Sequence, residues 1–213
     1  MKWFAISLAL GSLAYGATTI DEIVGVVGKH AIKMTDIERD LRVTQFLNGE
    51  SPSSSVAAKK RALERLIDQE LIRNDMAASK NASHLDNEAT TLFNQMLSDR
   101  FGSSKPQMAA ELRRHGLTEA QLLEQLQWQL VVLRFIDQRF RPGVIVNDED
   151  VRAYYDKNSG ELERKYPANH SFEALAPKIR ETLEADRINQ NFEEWISNVR
   201  KDTRIEYKLD ELK

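Results

Sequence analysis

Strand signals stand near the two ends of this chain, with helical patterning between them. Ile23-Val24-Gly25-Val26-Val27 and Ala31-Ile32-Lys33-Met34 are short β-branched runs. Gly28-Lys29-His30 separates them and puts a glycine where a tight hairpin turn wants one. Near the C-terminus, Arg204-Ile205-Glu206-Tyr207-Lys208-Leu209 alternates apolar and polar residues as a strand does. A hairpin pairs within itself, but a lone strand has no local partner and an unpaired edge is costly. The terminal strand is therefore expected to pair with the hairpin around Val24 and Val26, so that the two ends of a 213-residue chain meet.

The intervening sequence supplies helices with readable ends. Thr35-Asp36-Ile37-Glu38 has the form of a capping box, which predicts a helix from Asp36 to about Asn48 with Ile37, Leu41 and Leu47 near one stripe and Gly49 as its stop. Glu50 to Ser55 is loop-like in composition. From Val56 to about Ser79, Leu63, Leu66, Ile67, Leu71 and Ile72 recur at helical spacing. Ala89, Leu92, Phe93, Met96 and Leu97 mark a third helix over Asp86 to Phe101. A shorter one starts near Ser104 with Pro106 in its first turn and ends at Gly116. Thr118-Glu119-Ala120-Gln121 is a second capping box, opening a helix to Phe140 that is apolar over more than one face and is expected to lie centrally. Asn147 caps a helix through Tyr154 and Tyr155 that is expected to end near Asn158. The last helix spans roughly Phe172 to Arg200, with Pro177 expected to delay or kink its start. The fold class is mainly α, a helical module with a small antiparallel sheet made by the N-terminal hairpin and the C-terminal strand.

Composition narrows the function classes. Thirty Lys+Arg against 33 Asp+Glu offer no basic footprint for nucleic acid and no polybasic membrane anchor. The absence of cysteine removes disulfides, thiol catalysis and thiolate metal sites together. Lys2 precedes the apolar run Trp3 to Leu10, and Ala14 and Gly16 suit the small positions of a signal-peptidase site. The run is shorter than the roughly 20 residues of a bilayer span, so cleavage between Gly16 and Ala17 is expected, with no stable anchor afterwards. An exported chain without cysteine points to a bacterial envelope.

Chemistry-bearing patterns are scarce. His30, His84, His115 and His170 are scattered without a metal-ligand spacing. Asp148, Glu149 and Asp150 sit where a helix N-terminus favours negative charge. No glycine-rich phosphate loop or G-x-S-x-G elbow occurs, so the reading is a non-enzyme with no cofactor and no metal. What remains is the apolar content of the helices. Phe93, Met96, Phe101, Met108, Trp128 and Phe135 are candidates for a groove that accepts many apolar peptides, since methionine and aromatic side chains make adaptable contacts. Helical spacing produces the same stripes in an ordinary core.

The hairpin from Ile23 to Ile32, the helix start Thr35-Asp36-Ile37 and the segment Arg61 to Ile72 resemble the N-terminal domain of the SurA-like periplasmic chaperone family. Leu117-Thr118-Glu119-Ala120-Gln121-Leu122, Val146 to Tyr155 and the last helix with its strand look like the family's later segments. The resemblance implies a signal peptide (1–16), a helical chaperone region (17–158) and a closing helix and strand (172–213). A short linker (159–171) stands where the family usually carries a parvulin-type prolyl isomerase domain of about a hundred residues. It implies an ATP-independent chaperone whose partners are unfolded or partly folded exported polypeptides, among them outer-membrane β-barrel precursors. The alternative is a non-chaperone envelope protein using the same fold in a fixed complex or homodimer. N-terminal sequencing of the protein from the envelope fraction is expected to begin at Ala17; a cytosolic chain still starting at Met1 contradicts the address.

Overall fold

The computed structural model describes residues 21–79, 86–208 and 210. The expected leader and Leu209 lie outside these residues. Strands β1 (Ile23–Val27) and β2 (His30–Lys33) form the hairpin, and β3 (Ile205–Tyr207) is the terminal strand. Between them run α1 (Met34–Asn48), α2 (Val56–Ser79), α3 (Asp86–Phe101), α4 (Lys105–Arg114), α5 (Glu119–Phe140), α6 (Asp148–Lys165) and α7 (Phe172–Asp202). The fold is mainly α with one small antiparallel sheet, as the patterning predicts.

The sheet order is β2-β1-β3, so the first strand is the central one. Val26 faces Ala31 on one side and Glu206 on the other. Beyond the paired residues, the Lys208 amide donates to Val24 O at 3.0 Å and the Gly28 amide to Arg204 O at 2.9 Å. The hairpin turn has Gly28 at φ +60°, the positive value that a type II′ turn requires at its first position. Gly25 answers a different demand: a Cβ there would stand 3.0 Å from Leu63 Cδ1, so its hydrogen lets Leu63 of α2 pack closely on β1.

Three apolar clusters hold the helices. Val24, Val27, Ile32, Ile37 and Leu41 pack with Leu63, Ile67 and Leu71 of α2 and with Ile196 of α7. Val43 and Phe46 of α1 pack with α3, α4 and the start of α5 in a second cluster. Val151 and Leu162 of α6 meet Leu175 and Ile179 of α7 in a third. The 31-residue α7, about 46 Å long, therefore serves the third cluster with its first half and the first cluster with its last turns. Polar ties reinforce the second contact. Arg200 donates to Asp68 Oδ1 at 2.6 Å and Glu64 Oε2 at 2.7 Å, and the Tyr207 hydroxyl donates to the same Glu64 oxygen at 3.3 Å. The 50–55 loop is fixed from two sides: Gln45 exchanges bonds with both backbone groups of Ser53, and the buried ring of His115 bridges Glu111 O and Glu50 O at 3.0 Å each.

Three expectations are corrected. Helix α1 begins at Met34, because β2 runs straight into it and Lys33 takes the cap position, its amide donating to Asp36 Oδ2 at 3.0 Å. Thr35 is thereby inside the first turn, and its hydroxyl donates to Asp21 Oδ2 at 2.6 Å, which holds the Asp21 carboxyl below the usual aspartate range. Helix α6 does not stop at Asn158 but runs to Lys165, leaving 166–171 rather than 159–171 as the connection. Burial of Leu162 against α7 outweighs the local stop signal of Asn158-Ser159-Gly160. Pro177 does not delay α7, which starts at Phe172 on the Ser171 cap. Helix α5 packs on the second cluster with Leu122 and Leu126 and on the first with Trp128, Val132 and Phe135, as its apolar faces imply, although Leu133 is 63% exposed.

Deleting the chain after Asn169 removes β3, Ile196 and the first cluster's partners Phe192, Trp195 and Val199. Each large core side chain lost costs roughly 2 to 5 kcal/mol against a total of about 5 to 15 kcal/mol, so the truncated protein is expected to be unfolded. A cooperative thermal melt near the full-length midpoint contradicts this.

Candidate functional site

Three helices bring the same spacing to one place. Asp36, Arg39, Asp40 and Val43 of α1 stand at i, i+3, i+4 and i+7, as do Leu66, Gln69, Glu70 and Arg73 of α2 and Gln121, Glu124, Gln125 and Trp128 of α5. That spacing places each set on one helix face. The three faces converge with His30 and Ile32, two residues apart on β2, around an open cleft of about 370 Å³. Its position follows from the first cluster: β2 and α2 are packed together beneath it, α1 is tethered to β2 without a loop, and α5 closes the far side.

The chemistry is mixed. Ile32, Val43, Leu66, Trp128 and Val131 supply apolar surface, and Gln69, Gln125 and Gln127 bring amides suited to peptide groups. Two carboxylates lie deep. Asp40 is 7% exposed at its side chain and is held by Arg65, whose Nε donates to Oδ2 at 3.1 Å. Burial pushes the Asp40 carboxyl above the usual aspartate range and outweighs the pull of that guanidinium. Glu70 is 9% exposed, with His30 Nδ1 at 3.7 Å and Arg73 Nη1 at 3.9 Å. The Arg73 guanidinium lies over the Trp128 ring, 4.3 Å from its centroid. Among the described residues the lining supplies carboxylates, amides, guanidinium groups and apolar surface, which are groups that bind.

The six aromatic and methionine candidates do not form one groove. Phe93 and Met108 are buried in the second cluster, where Met96 and Phe101 also pack. Phe93 and Met108 reach a separate depression of about 260 Å³ together with Leu97, Leu112 and Leu117. Trp128 and Phe135 pack on the first cluster instead, and Phe135 is taken up by Trp195 at 5.5 Å and Phe140 at 6.3 Å. Helix α5 divides them, because Leu122 and Leu126 point to one cluster while Trp128, Val132 and Phe135 point to the other. Of the six, Trp128 alone lines the main cleft. Asp40, Glu70, Gln69 and Gln125 were not among the candidates, although their polar i, i+3, i+4, i+7 stripes are visible once the helices are placed.

No protein-family model matches the chain, and no curated protein matches it.

A carboxyl whose folded pKa is raised binds its proton more tightly when folded, so its contribution to stability is greatest in acid and declines as pH rises through the folded value. Asp40→Asn removes that pH dependence. The melting temperature of the variant minus that of the wild type is expected to fall as pH is lowered from about 7 to about 4. A difference that grows on acidification would show that pairing with Arg65, not burial, governs Asp40.

Proposed function

We propose that the protein is an ATP-independent chaperone of the bacterial periplasm that holds extended segments of unfolded exported polypeptides, outer-membrane β-barrel precursors among them. The observation that carries this reading is the cleft of β2, α1, α2 and α5, where apolar side chains alternate with amides and charges. An extended polypeptide presents the same mixture, apolar side chains beside unsatisfied backbone amides. The volume lies within the range of about 300 to 1,000 Å³ typical of ligand sites, which suits a few residues of a client rather than a folded partner. The resemblance to the SurA-like chaperones and the leader-like N-terminus support the compartment and the client class. Affinity for any one segment is modest, because ordering a flexible chain opposes binding. No prolyl isomerase activity belongs to this reading, since the connection of residues 166–171 is too short to hold that domain.

A fixed complex or homodimer is the second reading, favoured by Leu133 at 63% and Ile145 at 80% exposure on the outer side of α5 and the segment after it. It predicts one stoichiometric partner instead of many clients.

The mature protein is expected to suppress aggregation of a denatured β-barrel protein without nucleotide. Trp128→Ala is expected to weaken that protection several-fold when assayed well below the variant's own melting temperature, since Trp128 also packs on the first cluster. Protection unchanged by Trp128→Ala would move client binding away from the cleft, and no protection at all would defeat the chaperone reading.

A further inference from the structure

Glu70 lies deep in the cleft, with its carboxylate open to it. It is more than nine-tenths buried, yet among the described residues it accepts no hydrogen bond, its nearest cations standing at 3.7 and 3.9 Å. A carboxylate offers about four acceptor positions, and buried charges are ordinarily hydrogen-bonded as well as paired. On α1, which lines the same cleft, both Arg65 donors to Asp40 end on Oδ2, which leaves Oδ1 without a bond among the described residues. Three carboxylate oxygens from adjacent helices thus lie at the cleft with their acceptor capacity unspent.

The neighbouring cations do not fill that capacity. Arg73 is drawn over the Trp128 ring, and both Arg73 and His30 are about half exposed at the rim. Half-exposed ion pairs of this kind are worth about 0 to 1 kcal/mol, so displacing them costs little. Across the opening, Glu124 of α5 adds another carboxylate, while Arg39 is engaged by Asp36 at 3.6 Å.

From this geometry we infer that the cleft contains a guanidinium subsite, in which Glu70, assisted by Asp40 Oδ1, takes the side chain of an arginine in the bound polypeptide segment. A guanidinium fits better than an ammonium, because its planar fork reaches two carboxylates with directed donors while its face lies against Trp128, the place Arg73 now occupies. The subsite makes the clients a narrower class than apolar segments in general: extended segments in which an arginine is flanked by apolar or aromatic residues. It rests on the cleft being a polypeptide site.

The test uses the mature full-length protein and two fluorescein-labelled extended peptides, identical except that a central arginine flanked by apolar residues is replaced by citrulline, which keeps the shape and removes the charge. Anisotropy titrations are expected to give about tenfold tighter binding of the arginine peptide, the scale of one charge-assisted hydrogen bond in a shielded site. In Glu70→Gln that ratio is expected to fall to about one, with citrulline-peptide affinity retained as evidence that the cleft is intact. Equal binding of both peptides to the unaltered protein, or a ratio that survives in Glu70→Gln, overturns the subsite while leaving the cleft a polypeptide site. Binding of neither peptide overturns the subsite and the polypeptide-cleft reading together.

Discussion

The pairing of β1 with both β2 and β3 is the constraint on which the rest of the molecule depends. A central strand contributed by the first described residues must be completed by the last, and the bonds from Lys208 to Val24 and from Gly28 to Arg204 close that circuit. Glycine at position 25 lets Leu63 of α2 sit close against β1, since a Cβ there would stand 3.0 Å from Leu63 Cδ1. Once the sheet is closed, α7 has no freedom at its C-terminal end, and Arg200 locks it to Glu64 and Asp68 of α2. Distant parts of the sequence thus share one core, and neither half keeps its apolar face covered alone.

The cleft follows from that closure. β2 passes without a loop into α1, so the rotation of α1 about its axis is set by the hairpin register. Ile37 and Leu41 turn inward to meet α2, and this leaves Asp36, Asp40 and Val43 to line the cleft. The same logic applies on α2, where burial of Leu63, Ile67 and Leu71 presents Leu66, Glu70 and Arg73 to the opening. Core packing and cleft lining are two sides of the same helices.

Two deep carboxylates in such a place are expensive. Removing a charge from water costs several kcal/mol unless pairing and hydrogen bonds offset it, and the Arg65 pair offsets only part of the cost at Asp40. Their position opposite Trp128 concentrates acceptors, aromatic surface and a displaceable arginine within one small volume. Elsewhere, Leu133 on α5 and Ile145 after it are exposed apolar side chains.

Local signals in the sequence determined the helices, their order and the meeting of the chain ends. Caps at Ser104, Thr118 and Asn147 satisfy amides within one turn of themselves, and the Gly28 turn needs only its own φ, so both are readable without a tertiary structure. The lone terminal strand implied its partner because no other strand was on offer. Tertiary structure decided where long-range burial overrides a local stop, as Leu162 does for α6, and where a preceding strand captures a cap, as β2 does for α1. It also decided the cleft. Only Trp128 of its lining was foreseen, because stripes of Asp, Glu, Gln and Arg on separate helices have the pattern of solvated faces. Whether such faces look into water or toward one another depends on helix rotations set by the buried residues on the opposite sides, and no local sequence window contains that information.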